Sequence, residues 1–302
     1  MSGAGLGGAG LRRERQGLLL GFLGVLMFSA TLPATRIAVQ TLDPMFVGLG
    51  RSVLAAHLAA IALIATRQPF PRGPVWKWLA MAAGGVIFGF PAFTSWAMRY
   101  VPSSHGAIVV GLLPLATVIA STMINHERPS RAFWVSSLIG SALVVAFAFT
   151  MGAGALHMAD FALLAAVILG GIGYAAGARA TRELGGWQTI SWALLISVPV
   201  LLPVTAAAAL RTDFSAVPWS AWAGFVYVAV FSQYFGFFAW YRGLDMGGVA
   251  RVSQVQLLQL FLTLAISSII AGETITWLMM GFAVAVVAVV AIGRRAPVVR
   301  KA

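Results

Sequence analysis

The side chains able to do chemistry are few, and most stand inside long apolar runs. Arg51 lies in Gly48-Leu49-Gly50-Arg51-Ser52, and His57 follows one or two helical turns later. A guanidinium in a bilayer is costly, so it turns toward protein, a water-filled cavity or, near a span end, the interface. Arg51 is therefore read in two ways. It anchors a carboxylate or belongs to an external gate, or it is an interfacial or structural arginine satisfied by helix-end carbonyls. His57 could carry a proton, because imidazole titrates near neutrality, or it is a neutral residue packed on a neighbouring helix. Gln256, Gln259, Thr263 and Ser267 recur every three or four positions and so share one helical face. Lipid offers that face no hydrogen-bond partner, so it must point at a cavity or at another helix. Amides both donate and accept, which suits an α-amino and α-carboxyl pair, though also many other polar solutes.

Aromatic residues form the second candidate group. Phe88, Phe90, Phe93 and Trp96 cluster in one run, and Tyr234, Phe235, Phe237, Phe238, Trp240 and Tyr241 in another. Trp96, Trp240 and Tyr241 lie near run ends, where interfacial belts are expected. The alternative is that Trp96 or Tyr234 encloses a substrate side chain in a pathway. Trp76-Lys77-Trp78 reads as an interfacial anchor. Pro33, Pro91 and Pro114 each remove a backbone donor inside a run and kink it, giving candidate hinges. Gly84, Gly85, Gly89, Gly170, Gly171, Gly173 and Gly177 would let helices approach closely.

Catalytic constellations are absent. There is no cysteine, which rules out disulfides and thiolate chemistry. No HExxH, Walker loop or CxxC occurs, and the four histidines are scattered, so no metal or cofactor is expected. The Gly-rich opening GAGLGGAG precedes no strand and fails as a dinucleotide loop. All eight acids fall in loops, tails or helix ends, which argues against a membrane-centred carboxylate relay and an embedded enzyme.

The elements that must position these residues follow from composition. Hydrophobic residues make up 60% of 302, and charged ones only 9%, too few to clothe a soluble surface. The apolar residues fall into ten runs, near 17–38, 45–66, 77–98, 105–124, 131–150, 160–179, 189–209, 219–240, 252–270 and 275–293. Each is long enough for a helix to cross roughly 30 Å of hydrocarbon, and none shows the short alternation of a barrel strand. The expected class is all-α: a polytopic membrane protein in contact with lipid, with no nucleic-acid partner despite the net charge of +12. With both termini in the cytoplasm, sixteen of the twenty Lys and Arg residues fall on the cytoplasmic side, as the positive-inside rule requires.

A shift of 146 residues lays Gly106–Glu127 on Val252–Glu273, matching Leu112 with Leu258, Thr117 with Thr263, Ser121 with Ser267 and Glu127 with Glu273. The expected organisation is a tail at 1–16, five helices at 17–150, a linker at 151–159, five helices at 160–293 and a tail at 294–302. An odd number of spans per half inverts the second half. Inverted halves are a recurrent carrier architecture, with the substrate near the midplane at their interface.

The chain also resembles the ten-span EamA-type group of the drug/metabolite transporter superfamily. The resemblance covers residues 17–293. It is carried by Arg51, Ala97-Met98-Arg99-Tyr100-Val101-Pro102, Pro114, His126-Glu127, Gly243-Leu244-Asp245-Met246-Gly247 and Gly272-Glu273, in order across ten spans. It departs at Leu260, which stands where the first half has Pro114. The resemblance implies a multi-pass bacterial inner-membrane carrier, acting by alternating access on a small molecule; a monomer is expected, though the sequence does not fix the oligomer. Many such proteins export amino acids, and the aromatic-rich spans resemble exporters of aromatic amino acids. Drugs, sugars and other metabolites are the alternative cargo.

Overall fold

The computed structural model describes residues 3–151, 157–294 and 298–300. Most of the expected linker, together with Arg295 and Lys301 of the basic count, lies outside the described residues.

The described chain is helical apart from one short antiparallel pair. The first half runs α1 (Gly3–Ser29), α2 (Thr31–Ala38), α3 (Pro44–Ala65), α4 (Val75–Ala82), a π-helical stretch Ala83–Gly89, α5 (Phe90–Ala97), α6 (Ser103–Val110), α7 (Leu113–Ile124), strand β1 (Glu127–Pro129) and α8 (Arg131–Met151). The second runs α9 (Met158–Leu184), α10 (Gly186–Ala209), α11 (Trp219–Tyr227), a π-helical stretch Val228–Phe235, α12 (Gly236–Gly247), α13 (Val249–Ser253), α14 (Leu257–Ala271), α15 (Trp277–Arg294) and strand β2 (Val298–Arg300). β1 pairs with β2, Glu127 opposite Arg300. Among the described residues, eight helical spans are long and apolar enough to cross a membrane. The apolar helices α8 and α15 pack on each other beside them.

Element bounds repeat at the spacing of 146. The span Arg12–Ala38 has its counterpart in Met158–Leu184 at both ends. Ser103 and Val249 open equivalent spans, and Arg131 and Trp277 open α8 and α15. The two π-helical stretches fall at the same offset to within one residue. Contacts repeat too. α1 packs on α12 as α9 packs on α5, α1 on α14 as α9 on α7, and the equivalent pairs α3–α10 and α8–α15 pack on each other.

Prolines explain where spans break and what then holds them. Pro33 has no N–H for the carbonyl four residues back. That carbonyl, Ser29 O, instead accepts a 2.8 Å bond from Thr263 Oγ1. Pro91 likewise frees Ile87 O, which accepts from Ser52 Oγ at 3.3 Å. Pro114 follows the break at Gly111–Leu112 between α6 and α7. The π-helical stretches join across the halves, Gln233 Nε2 donating to Val86 O at 3.1 Å. Unpaired backbone carbonyls are expensive in an apolar interior, so these polar side chains serve as interhelical connectors. Pro199 and Pro203, inside α10, add two proline sites that the sequence reading did not single out.

Glycines set the closest approaches. A Cβ at Gly85 would lie 2.3 Å from Leu169 O, and one at Gly177 would lie 2.1 Å from the Tyr241 ring. Gly84, expected at a helix contact, faces open space instead. Trp240 and Tyr241, expected in an interfacial belt, are both fully buried. The small residues of α9 make room for them, and their rings pack on Tyr174 and Phe237. Trp277 and Trp219 are the most exposed tryptophans instead, at 92% and 82%.

Candidate functional site

The kinks and π-helical stretches converge on one narrow central cavity. Its walls are Phe28, Thr31 and Leu32 at the α1–α2 break, Arg51 on α3, Val86 and Phe90, and Leu113 on α7. Tyr174 on α9, Ser232, Gln233, Phe237 on α12 and Gln259 on α14 complete it. The cavity is small, about 20 Å³ counted as positions for the centre of a water-sized sphere, which is room for a water or so but not for an amino acid. An adjoining recess is lined by Leu32, Ala107, Val110, Gly111, Gln256, Gln259, Leu260 and Thr263.

Arg51 is 1% exposed, and its Nε and Nη1 are buried without a hydrogen-bond partner among the described residues. It enters no ion pair among them either. The guanidinium is enclosed by helices rather than placed at the interface, which leaves a structural arginine and an anchor for a carboxylate as its two readings. A buried cation left unpaired costs several kcal/mol (order of magnitude), so the fold maintains a positive centre that an anion would relieve. Orphan acceptors lie in the cavity and the recess, and one more is buried beside them. Gln256 Nε2 donates to Tyr174 Oη at 3.4 Å and Gln259 Nε2 to Phe28 O at 3.4 Å. The Oε1 atoms of both glutamines, and of Gln254, are buried without a partner. A 3₁₀ turn at Gln254–Gln256 interrupts the span here and re-aims these side chains. Thr31 Oγ1 and Ser232 Oγ lie 2.8 Å apart on the opposite wall.

The remaining expected site residues are placed elsewhere. Thr263 borders the recess, with its hydroxyl committed to Ser29 O. Ser267 is buried nearer one end of the bundle, 2.9 Å from Ser103 Oγ. Tyr234 is buried behind the cavity wall, its hydroxyl 3.1 Å from Ser191 Oγ. Trp96 is half-buried and packs on exposed Tyr100 rather than lining the cavity. His57 is exposed, and its Nδ1 sits 2.8 Å from Val53 O of its own helix. It follows Arg51 by six positions, which at roughly 100° per residue turns it about 120° away from that side chain. The structure therefore does not bring His57 to the cavity that Arg51 lines.

Sequence reading did not single out Tyr174, Thr31, Ser232 or Gln233. Ser232 and Gln233 were visible as polar residues in an aromatic run, but Tyr174 looked like one more apolar residue among glycines.

Both ends of the seam between the halves are tied. At one end Glu273 accepts from Ser103 N and Ser103 Oγ at 2.7 Å and from Ser104 N at 2.8 Å. This caps α6, where a carboxylate opposes the helix dipole. Nearby, Arg36 Nη1 donates to Met98 O at 2.5 Å, and Arg99 Nη1 donates to Val39 O. At the other end Asp245 meets Arg13 at 3.5 Å and Arg242 at 3.4 Å, and Glu14 meets Arg251 at 2.6 Å. Arg13, Glu14, Arg242 and Asp245 border a wide vestibule open to the surroundings, lined also by Thr181, Arg182 and Glu183.

Comparison with known proteins gives a consistent result. The EamA-like transporter family matches residues 15–151 and again residues 157–293. The uncharacterized transporter YdeK of Bacillus subtilis (strain 168) is 41% identical over 285 residues, covering 94% of this chain and 99% of that protein. The uncharacterized transporter YyaM of the same organism is 22% identical over 244 residues, covering 78% and 79%. A crystal structure with 19% identity shares the fold with a TM-score of 0.65, over 92% of this chain and 97% of that one.

Proposed function

The chain belongs to the EamA-like transporter family, and from that premise we propose that it exports amino acids across the bacterial inner membrane by alternating access. The observation that carries the cargo reading is the set of orphan groups in the cavity and its adjoining recess. Arg51 offers an unpaired cation, and Gln256 and Gln259 offer unpaired amide oxygens. An α-amino acid brings a carboxylate for the first and an ammonium for the second. Phe28, Phe90, Phe237, Leu32 and Leu113 surround an apolar side chain, aromatic ones included.

The proposed architecture is ten spans in two inverted halves, 17–150 and 160–293, with both termini cytoplasmic. The repeated element bounds support it, as do the self-paired contacts of α3 with α10 and α8 with α15. Two such pairs are what a two-fold axis between the halves would produce, and five spans per half lays that axis in the membrane plane. The Glu273 end then faces outward, and the vestibule faces the cytoplasm. The cavity is too tight to admit cargo, so loading requires the halves to rock apart. Differential affinity for the two states moves the population.

Uptake of labelled amino acids into liposomes carrying the purified protein tests the reading. Saturable flux of neutral amino acids, competed by other α-amino acids but not by their amides, is the expected result. Flux of simple carboxylates that is indifferent to the amino group would replace amino acids with another metabolite anion. Flux of dyes or sugars alone would favour those cargoes and overturn the amino-acid reading.

A further inference from the structure

The two ends of the seam carry one connection made twice. His105 Nε2 on α6 lies 2.6 Å from Asp160 Oδ1 on α9. Adding 146 to 105 gives 251, and subtracting it from 160 gives 14. Arg251 Nη1 on α13 lies 2.6 Å from Glu14 Oε1 on α1. Each pair ties the start of a broken span in one half to the first helix of the other. Opening either end requires parting its pair.

The pairs differ in chemistry and setting. The His105 and Asp160 side chains are 5% and 3% exposed, whereas Arg251 and Glu14 are 65% and 32% exposed. Arginine keeps its charge at any accessible pH. Histidine is the side chain whose charge changes between pH 5 and 8. With a proton, His105 and Asp160 form a buried ion pair. Without it, the neutral imidazole can still donate Nε2–H to Asp160, but the attraction between opposite charges is gone. The other groups around them are committed, including the second histidine here, His157, whose ring accepts from Asp160 N. Asp160 Oδ2 accepts from His157 N, Glu273 caps the same turn of α6 at Ser103 and Ser104, Arg36 holds Met98 O and Arg99 holds Val39 O. From α8, Phe147 packs on the imidazole ring.

We propose that His105 and Asp160 form a proton-binding site in the gate at their end of the carrier, and that the bound proton holds that gate shut. The closed state then carries one proton more than the open state. Acidification favours closure, by up to about tenfold in the closed-to-open ratio per pH unit while the site titrates. The Arg251–Glu14 end has no such dependence in this range.

The proposal rests on the alternating-access reading, and its test separates the two. The chain has no native cysteine, so spin labels at Tyr100→Cys and Thr274→Cys report the His105 end directly. The full chain is studied in lipid nanodiscs without substrate, from pH 8 to pH 5.5. The expected result is two distance populations, the shorter one growing as pH falls. In H105R the short population dominates throughout, and in H105Q it shrinks; both lose the pH response. Two populations that ignore pH in the parent protein, or a response that survives in both H105R and H105Q, overturn the proton site and leave the carrier reading standing. A single distance under all conditions, including saturating amino acid, overturns the carrier reading itself.

Discussion

Thr263 Oγ1 donates a 2.8 Å hydrogen bond to Ser29 O, the carbonyl that Pro33 strips of its helical donor. A residue that looks like part of a polar pathway is thereby fixed as a connector between α14 and the break in the first span. Loss of this bond leaves a buried carbonyl unpaired, a cost of about 1 kcal/mol in a membrane setting. T263V should lower the thermal unfolding midpoint of detergent-solubilised protein while keeping substrate selectivity. Unchanged stability with altered selectivity would assign the hydroxyl to cargo instead.

Arg51 is the positive centre of the cavity. Truncating one member of a buried charged contact costs about 2 kcal/mol or more, equivalent to roughly 30-fold. R51Q should reduce amino-acid flux in liposomes by at least that factor while the protein still folds, because the substitution also relieves an unpaired buried charge. R51K should recover only part of the flux, since an ammonium lacks the planar fork that meets a carboxylate side-on. Wild-type flux in R51Q would remove the carboxylate anchor.

Gln256 and Gln259 present the acceptor side. Q256L and Q259L should each cut transport per folded molecule, by roughly tenfold for about 1.4 kcal/mol of lost polar contact. The loss should be smaller for substrates without an ammonium group. H57A, on the outer surface of α3, should leave flux within twofold. A cavity role for His57 would return if H57A alone abolished flux while Q256L and Q259L did not.

Gly177 leaves no room for a side chain. A Cβ there would sit 2.1 Å from the Tyr241 ring, which is itself fully buried against α9. G177A should destabilise the protein by about 1–3 kcal/mol, read as a lower melting temperature and reduced yield. The double variant G177A/Y241A should regain part of that loss by vacating the ring's volume. Equal melting temperatures for G177A and the parent would mean that the two helices separate easily.

Composition and hydropathy alone determined the helical spans. Apolar runs in lipid can satisfy their backbone only as helices, and each expected run overlaps an observed helical segment, eight of which are long and apolar enough to cross a membrane among the described residues. The offset of 146 and the polar spacing of Gln256, Gln259, Thr263 and Ser267 were legible in the same way, because they depend only on order along the chain. What each polar side chain meets was decided by tertiary structure. Gln259 reaches the cavity, Thr263 a proline-freed carbonyl and Ser267 the hydroxyl of Ser103, although all three share one face of one span. Periodicity gives the direction in which a side chain leaves its helix. Only the packing of the opposite half supplies the partner, and for Nε and Nη1 of Arg51 it supplies none among the described residues.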